Sequence, residues 1–240
     1  MLFEEAVALE NAFEEISAEF EVLVKQGHLA MHPEGLSRRK GDWRVFTLWS
    51  SGKEHKENTA IAPHTSAIWR SLQKKLPRTR DMTFGLTYFS VLVPGAELAE
   101  HFGLSNMRIR IHLGLRVPPT DVQLKLANDY LEWKQGKCII FDDRYLFVCF
   151  VCFVWCVLFC FVCFVLFCFV NMGNFNKTRF SYTHAVANHN ELSRAVLIVD
   201  VWHPQLPEAE RQALAEMHMF IPQRKTVALN QSVHAQVMFS

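Results

Sequence analysis

The ten residues NMRIRIHLGL, from Asn106 to Leu115, alternate between polar and apolar side chains and decide how the fold is interpreted. The apolar positions are Met107, Ile109, Ile111 and Leu113. Because successive side chains of a β-strand point to opposite faces, this period of two predicts a strand. It also places the basic side chains of Arg108, Arg110 and His112 together on one face.

Three further stretches have the composition of strands. They are TFGLTYFSVLV (83–93), KCIIF (137–141) and RAVLIVDVW (194–202). The first ends at Pro94-Gly95, a dipeptide that is typical of turns. Several strands separated by turn residues predict a mainly β fold, either a sandwich or a jelly-roll barrel.

Two helices are predicted before these strands. From Leu2 to about Gln26, apolar residues recur at positions 9, 13, 16, 20 and 23, the spacing of one amphipathic helix that flanks the domain. A second helix is predicted from about Thr65 to Lys75, because Pro77 disfavours its continuation.

The composition indicates one domain without a strongly charged partner. A chain of 240 residues is long enough to bury a sizeable core. Its 25 Lys and Arg and 24 Asp and Glu residues are interspersed, which argues against a nucleic-acid surface and against a funnel for acidic substrates. The first 20 residues contain acids throughout and no basic segment before an apolar one, so no signal peptide is expected.

Residues 146–170 form a run of 25 residues drawn from only five types: Leu, Phe, Val, Cys and Trp. Six of the seven cysteines lie in this run, a distribution that excludes a disulfide framework for a globular fold. As a helix rising about 1.5 Å per residue, the run would exceed the roughly 30 Å of bilayer hydrocarbon. Arg144, Lys177 and Arg179 suit interfacial anchors. The run lacks, however, the small and hydroxylated residues with which membrane helices pack.

The codons of this run indicate a different origin. All five residue types can be encoded with T and G alone, as in a translated simple repeat. The codons at 144–145 and 180–181 can supply a splice donor and acceptor, and removing the 37 codons of 144–180 joins FDD to SYTHAV in frame. We therefore hypothesise that residues 144–180 are a retained intron, with a membrane helix or a buried insertion as the alternatives. The domain then comprises residues 1–143 and 181–215, followed by an irregular tail, 216–240.

With residues 144–180 set aside, the chain resembles the aspartyl/asparaginyl β-hydroxylase family of iron- and 2-oxoglutarate-dependent dioxygenases. Three motifs in this order carry the resemblance: PG…H-x-G-x-x-N-x-R-x-R-x-H-L-G-L (94–115), FDD joined to SYTHAV, and VDVWHP (199–204). The resemblance extends from LENAFEEISAEF (9–20) to Arg211. It implies a double-stranded β-helix, or jelly roll, which agrees with the predicted strands.

The resemblance assigns the ferrous ion to His101 and His184. The common iron site has a carboxylate two residues after its first histidine, and here that position is Gly103. The family resembled here binds iron with two histidines and no protein carboxylate. Positions on the metal are thereby left for 2-oxoglutarate, water and dioxygen.

The same resemblance assigns Arg194 to the far carboxylate of 2-oxoglutarate, and bidentate arginine geometry suits that group. The other residues implied in binding this cosubstrate are Trp43, Ser90, Arg110 and His112. Arg108 is interpreted instead as a surface or structural ion pair. Asp142 and Asp143 either orient the iron-binding imidazoles or form a turn pair, and the sequence leaves both possibilities open.

The resemblance implies hydroxylation of the β-carbon of Asp or Asn residues in a protein substrate. Two alternatives remain: a hydroxylase of a small molecule or lipid, since the fold does not specify the substrate, and a single-pass membrane protein with an inactive barrel that serves as a binding module. The insertion itself could inactivate this form of the enzyme. The expected location follows the same alternatives: the endoplasmic reticulum from the resemblance, a membrane from residues 146–170, otherwise the cytoplasm.

Overall fold

The computed structural model describes residues 3–32, 38–103, 105–143 and 183–220, and two antiparallel β-sheets form its centre. The strands are β1 (Ala30–Met31), β2 (Arg38–Lys40), β3 (Trp43–Ser50), β4 (Lys53–Glu54), β5 (Leu86–Leu92), β6 (Glu97–His101), β7 (Arg108–Arg116), β8 (Val122–Leu126), β9 (Asp129–Leu131), β10 (Cys138–Phe141), β11 (His184–Asn188) and β12 (Arg194–Trp202). The helices are α1 (Glu4–Asn11), α2 (Phe13–Lys25), α3 (Lys56–Ile61), α4 (Pro63–Lys75) and α5 (Glu208–Phe220), with a 3-10 turn at Pro77–Thr79. The predicted mainly β, jelly-roll fold is confirmed.

The larger sheet has seven strands in the order β1-β3-β5-β12-β7-β10, with β4 beside β3. The smaller sheet has five, in the order β2-β6-β11-β8-β9. All pairings are antiparallel. Strand β12, near the end of the chain, lies between β5 and β7, so the larger sheet is complete only when distant parts of the chain have met.

Helices cover the outer face of the larger sheet. In α2 the side chains of Ile16, Phe20 and Leu23 are fully buried, and the Phe20 ring lies 5.6 Å from that of Phe89 on β5. This stripe follows the predicted helical spacing. Hydrophobic burial on this face therefore joins the N-terminal segment to the sheet.

Two predicted boundaries need correction. The single helix expected over residues 2–26 is two helices, because Ala12 leaves helical geometry with φ −96° and ψ 12°. The break allows the buried residues of both α1 and α2 to pack in the same core. At the other end, α5 continues to Phe220 and thus enters the stretch 216–240 that was expected to be irregular. Residues 221–240 and 144–180 lie outside the described residues, so those predictions stand as predictions.

The inner face of the larger sheet packs against the smaller sheet. A second apolar core lies here, with Leu98, Leu124 and Val186 from the smaller sheet and Val196 and Ile198 from β12. Strands β7 and β12 are buried along almost their whole length because helices cover one face and the second sheet covers the other. This enclosed interior contains the candidate site.

Candidate active site

Two histidine rings meet at the end of the smaller sheet. His101 is the last residue of β6 and His184 the first of β11, and the antiparallel register pairs them directly. Their ring centroids are 4.0 Å apart and their planes are inclined by 53°. Strand pairing therefore brings together two imidazoles that are 83 positions apart in the sequence.

One of these rings has a hydrogen bond that places its proton, and the other is deeply buried. His101 Nδ1 lies 2.8 Å from the Ala99 carbonyl, and only a protonated Nδ1 can donate there, so the neutral ring carries its lone pair on Nε2. His184 is 4% exposed, and its Nδ1 has no hydrogen-bond partner among the described residues. Burial, and then the charges of His101 and Arg110, lower the pKa of His184 well below its ordinary value. Neutral imidazoles of this kind suit ferrous iron.

The close contact of Gly103 with Asp143 explains why no carboxylate is present two residues after His101. Its N–H donates to the Asp143 carbonyl at 2.8 Å, and a Cβ at position 103 would overlap the Asp143 carboxylate. An acidic side chain therefore does not fit at that position. In the described part of the chain, no group of three or more His, Cys, Asp or Glu side chains is arranged to hold a metal. The available donor set is the pair of imidazoles.

The two acidic residues before the apolar run both lie beside basic side chains. Asp143 Oδ2 accepts a hydrogen bond from Arg108 Nη2 at 3.0 Å. Asp142 Oδ2 lies 3.5 Å from Nε2 of His203, the residue that follows β12. These contacts anchor the end of β10 to the adjacent strand β7 and to the residue that follows β12.

Arg110 and Arg108 share a carboxylate that the sequence analysis missed. Arg110 donates from Nε and Nη2 to the two oxygens of Asp200 at 2.8 and 3.0 Å. Arg108 Nη1 donates to the same residue at 2.7 Å. Arg108 is 2% exposed, so it is a buried structural ion pair and does not lie at the surface. A single acidic residue within the apolar strand RAVLIVDVW was the available indication, since it faces Arg110 in the β12–β7 register.

Arg194, by contrast, is a buried cation with unused donors. It is 1% exposed, and its Nε and Nη1 have no acceptor in the part of the chain that the structure describes. Burial lowers the pKa of Arg194 to about 10, so the guanidinium remains charged at neutral pH. An unpaired buried charge is unfavourable, and an anionic ligand would relieve it. This is what a site for a dicarboxylate requires.

Trp43 and Ser90 lie on adjacent strands near Arg194. Trp43 Nε1 donates to Ser90 Oγ at 3.0 Å, which leaves the hydroxyl proton for another acceptor. His32, which the sequence analysis did not select, stacks on Trp43 with ring centroids 3.6 Å apart and planes 4° from parallel. Burial, and then the charges of Arg110 and His101, lower the pKa of His32 to about 4. The indole of Trp43 is thus held by a stacked imidazole on one face and by a hydrogen bond at its edge.

His112 connects the histidine pair to Arg194 through aromatic contacts. Its ring lies 4.9 Å from Phe141, and Phe141 lies 5.6 Å from His184. On its other side, His112 Nδ1 accepts a hydrogen bond of 3.3 Å from Nε1 of Trp133. The guanidinium carbon of Arg194 lies 4.6 Å from the Trp133 ring centroid. A continuous chain of side-chain contacts therefore runs from the two imidazoles to the buried guanidinium.

Comparison with known proteins decides the family. A model of the aspartyl/asparaginyl β-hydroxylase family matches residues 10–148. The chain belongs to this family. It is 30% identical over 177 residues to the human aspartyl/asparaginyl β-hydroxylase, covering 74% of this chain and 18% of the relative. It is 31% identical over 209 residues to the human aspartate β-hydroxylase domain-containing protein 2, covering 86% and 46%.

The chain thus spans less than half the length of these two curated family members. Among solved structures, it is similar to a prolyl hydroxylase from Trichoplax adhaerens, solved with a hypoxia inducible factor peptide fragment (11% identity, TM-score 0.47, covering 85% of this chain and 81% of the other). A Pseudomonas putida prolyl-4-hydroxylase is similar at 14% identity and a TM-score of 0.43, with 80% and 87% covered. Across the described residues, no helix combines the length and apolar character needed to cross a membrane.

Proposed function

We propose that this family member is an Fe(II)- and 2-oxoglutarate-dependent dioxygenase that hydroxylates the β-carbon of Asp or Asn residues in a protein substrate. The observation that carries the proposal is the direct pairing of His101 with His184, with ring centroids 4.0 Å apart, in the same interior as the unpaired guanidinium of Arg194. Membership of a family of hydroxylases supports the reaction class.

Different residues of the site would bind the metal and the cosubstrate. His101 and His184 would hold the metal. Arg194 and the Ser90 hydroxyl would bind one carboxylate of 2-oxoglutarate, and the unpaired Nε2 of His112 would donate to the anion. When bound, iron and 2-oxoglutarate supply the activation of dioxygen and the oxidative decarboxylation that releases succinate and carbon dioxide. The apolar side chains between the sheets would keep bulk water from the reacting atoms.

The test is an assay of the full chain with Fe(II), 2-oxoglutarate and an Asp-containing peptide. We expect succinate release that depends on the peptide, together with a gain of one oxygen by the peptide. His101→Ala and His184→Ala should abolish both products and Fe(II) binding. His189→Ala is the matched control, because that ring is largely exposed and should leave both unchanged.

Two other outcomes would favour a different function. Succinate release that requires a small molecule or lipid and not the peptide would favour a hydroxylase of that substrate. Absence of Fe(II) binding, both in the full chain and in a variant without residues 144–180, would contradict the dioxygenase and favour a non-catalytic binding module.

A further inference from the structure

Trp133 connects two of the residues assigned to 2-oxoglutarate, although no motif selected it. It lies in the segment between β9 and β10 and is 4% exposed. Its indole touches His112 of β7 and Arg194 of β12. These two residues come from adjacent strands of the larger sheet, so one side chain from outside the sheet spans both.

The contact with His112 determines where that ring carries its proton. The indole N–H donates to His112 Nδ1 at 3.3 Å, and the two ring planes differ by only 5°. An indole nitrogen is a donor only, so Nδ1 of His112 must be the acceptor. Burial, and then the charges of Arg110 and Arg194, lower the pKa of His112 well below its ordinary value, which keeps the ring neutral. The single proton of the ring is therefore on Nε2.

The Nε2–H of His112 is a donor without an acceptor in the described structure. It is buried and has no hydrogen-bond partner among the residues described. A buried donor without an acceptor is unfavourable. Ligand binding in the interior of the barrel would provide the missing acceptor.

The contact with Arg194 orients the cation. The guanidinium carbon lies 4.6 Å from the centroid of the Trp133 ring, within the range of a cation–π interaction. A guanidinium held against a ring has a restricted plane, and its Nε and Nη1 donors are both unused in the described structure. The orientation of these donors thus depends on the indole.

We propose that Trp133 is a positioning residue for the dicarboxylate: its N–H maintains His112 as an Nε2–H donor, and its ring holds the Arg194 guanidinium in place. This inference rests on the proposed function, because it concerns the same cosubstrate site. The indole would thereby prepare a neutral donor and a cation for one anionic ligand before that ligand binds. Preparation of this kind raises affinity by lowering the ordering cost of binding.

Two substitutions separate the two contacts. Trp133→Phe keeps an aromatic ring beside Arg194 and removes the N–H, so His112 should become a mixture of tautomers. We expect the affinity of the Trp133→Phe variant for 2-oxoglutarate to fall about fivefold, the effect of losing roughly one hydrogen bond. Trp133→Leu removes the ring as well and should weaken binding further, by about a second factor of five. Trp202→Phe is the matched control, since it removes an indole hydrogen bond of 2.7 Å to the Arg80 carbonyl outside the site.

The experiment has one readout without ligand and one with it. In the full chain labelled with 15N-histidine, the ring nitrogens of His112, assigned by their loss in His112→Gln, should report the Nε2–H tautomer, and Trp133→Phe should change it. Calorimetry with Fe(II) and 2-oxoglutarate under nitrogen should give the losses in affinity. In peptide assays, the KM for 2-oxoglutarate should rise while kcat at saturation stays close to that of the unsubstituted chain.

The inference is overturned if His112 in the unsubstituted chain carries its proton on Nδ1, a result that needs no variant. It is also overturned if Trp133→Phe leaves both the tautomer and the affinity unchanged. If the unsubstituted chain binds no 2-oxoglutarate but Trp133→Phe still changes the tautomer, the proposed function fails while the hold of Trp133 on His112 is retained.

Discussion

At the scale of single residues, the interior contains two kinds of buried cation. Arg108 and Arg110 are paired with the carboxylates of Asp143 and Asp200, although Arg108 Nε has no hydrogen-bond partner among the described residues. Arg194 lies against the Trp133 ring, and its Nε and Nη1 have no acceptor within the described structure. Pairing of this kind makes the first two arginines parts of the framework, whereas the third is suited to a ligand.

Arg194→Met should remove the binding of 2-oxoglutarate without lowering the stability of the unliganded protein. The variant removes an unpaired buried charge, so the melting temperature without ligand should stay the same or rise. In the unsubstituted chain, 2-oxoglutarate at 100 times its Kd should add about 2.7 kcal/mol of stability, a Tm increase of roughly 5–10 °C. The variant should lose this increase. Thermal unfolding with Fe(II) under nitrogen measures both effects.

The control for this prediction is Arg44→Met, at an arginine whose side chain is 49% exposed in a surface ion pair. It should keep the ligand-induced increase in Tm. If Arg194→Met retained the same increase, Arg194 would not be the anion-binding residue.

His112 should make the folded state sensitive to acid. Its pKa in the folded chain lies well below the ordinary value, because burial disfavours the charged ring. Below pH 6.5 the unfolded chain therefore takes up a proton that folded His112 does not. As the pH is lowered below 6.5, the free energy of unfolding should therefore decrease, by up to about 1.4 kcal/mol per pH unit from this group.

Urea unfolding at pH 7.5 and pH 5.5 tests this prediction. His112→Gln should lose less stability between the two pH values than the unsubstituted chain does. His189→Gln, at a largely exposed ring, should lose as much as the unsubstituted chain. Equal losses in the unsubstituted chain and in His112→Gln would contradict the prediction.

At the scale of elements, the ends of β6 and β10 meet beside His101, which is proposed to bind iron. The contact consists of Gly103 against Asp143, and it joins the segment after β6, in the smaller sheet, to β10, in the larger. Asp143 in turn binds Arg108 of β7. This close approach requires the absence of a side chain at residue 103, two positions after His101.

Gly103→Ala should displace the Asp143 carboxylate and weaken its bond to Arg108. We expect the free energy of unfolding to fall by about 1–3 kcal/mol, as in other overpacked interiors. In an Asp143→Ala background, the same substitution should be less unfavourable because the overlapping carboxylate is gone. A double-mutant cycle by urea unfolding should give a coupling of about 0.5–3 kcal/mol. Additive effects would show that the contact does not constrain the two ends.

At the scale of the whole molecule, the described residues on both sides of 144–180 are anchored without that segment. On one side, Asp143 is bound to Gly103 and Arg108. On the other, the Thr183 carbonyl accepts from the N–H of Ala127, and β11 pairs with β6 and β8. The two histidines are thus held by strand pairings that the described residues supply themselves.

A variant with residues 144–180 removed should fold and keep the Tm increase caused by 2-oxoglutarate. It should also aggregate less, because 25 consecutive apolar residues are removed. Light scattering and thermal unfolding measure these properties, and sequencing the transcript across codons 140–185 tests the intron hypothesis directly. If the full chain binds 2-oxoglutarate and the shortened chain does not, the segment belongs to the fold.

Much of the architecture could be predicted because alternation is a local property. The strict period of NMRIRIHLGL was sufficient to predict β7 and the face that Arg108, Arg110 and His112 share. Helical spacing likewise predicted the buried stripe of α2, but not the break at Ala12. That break depends on how the two helices pack on the sheet, which spacing within one segment does not encode.

The sequence by itself therefore predicted the four strands β5, β7, β10 and β12 and the family, and it selected the residues proposed to bind iron and 2-oxoglutarate. Only the tertiary structure decided that Asp200 would hold Arg110, that His32 would stack on Trp43 and that Trp133 would touch both His112 and Arg194. The physical reason is the sequence distance between partners. A strand's pattern specifies the face on which a side chain lies, whereas its neighbour is specified by cross-strand register and by packing between segments far apart in the chain.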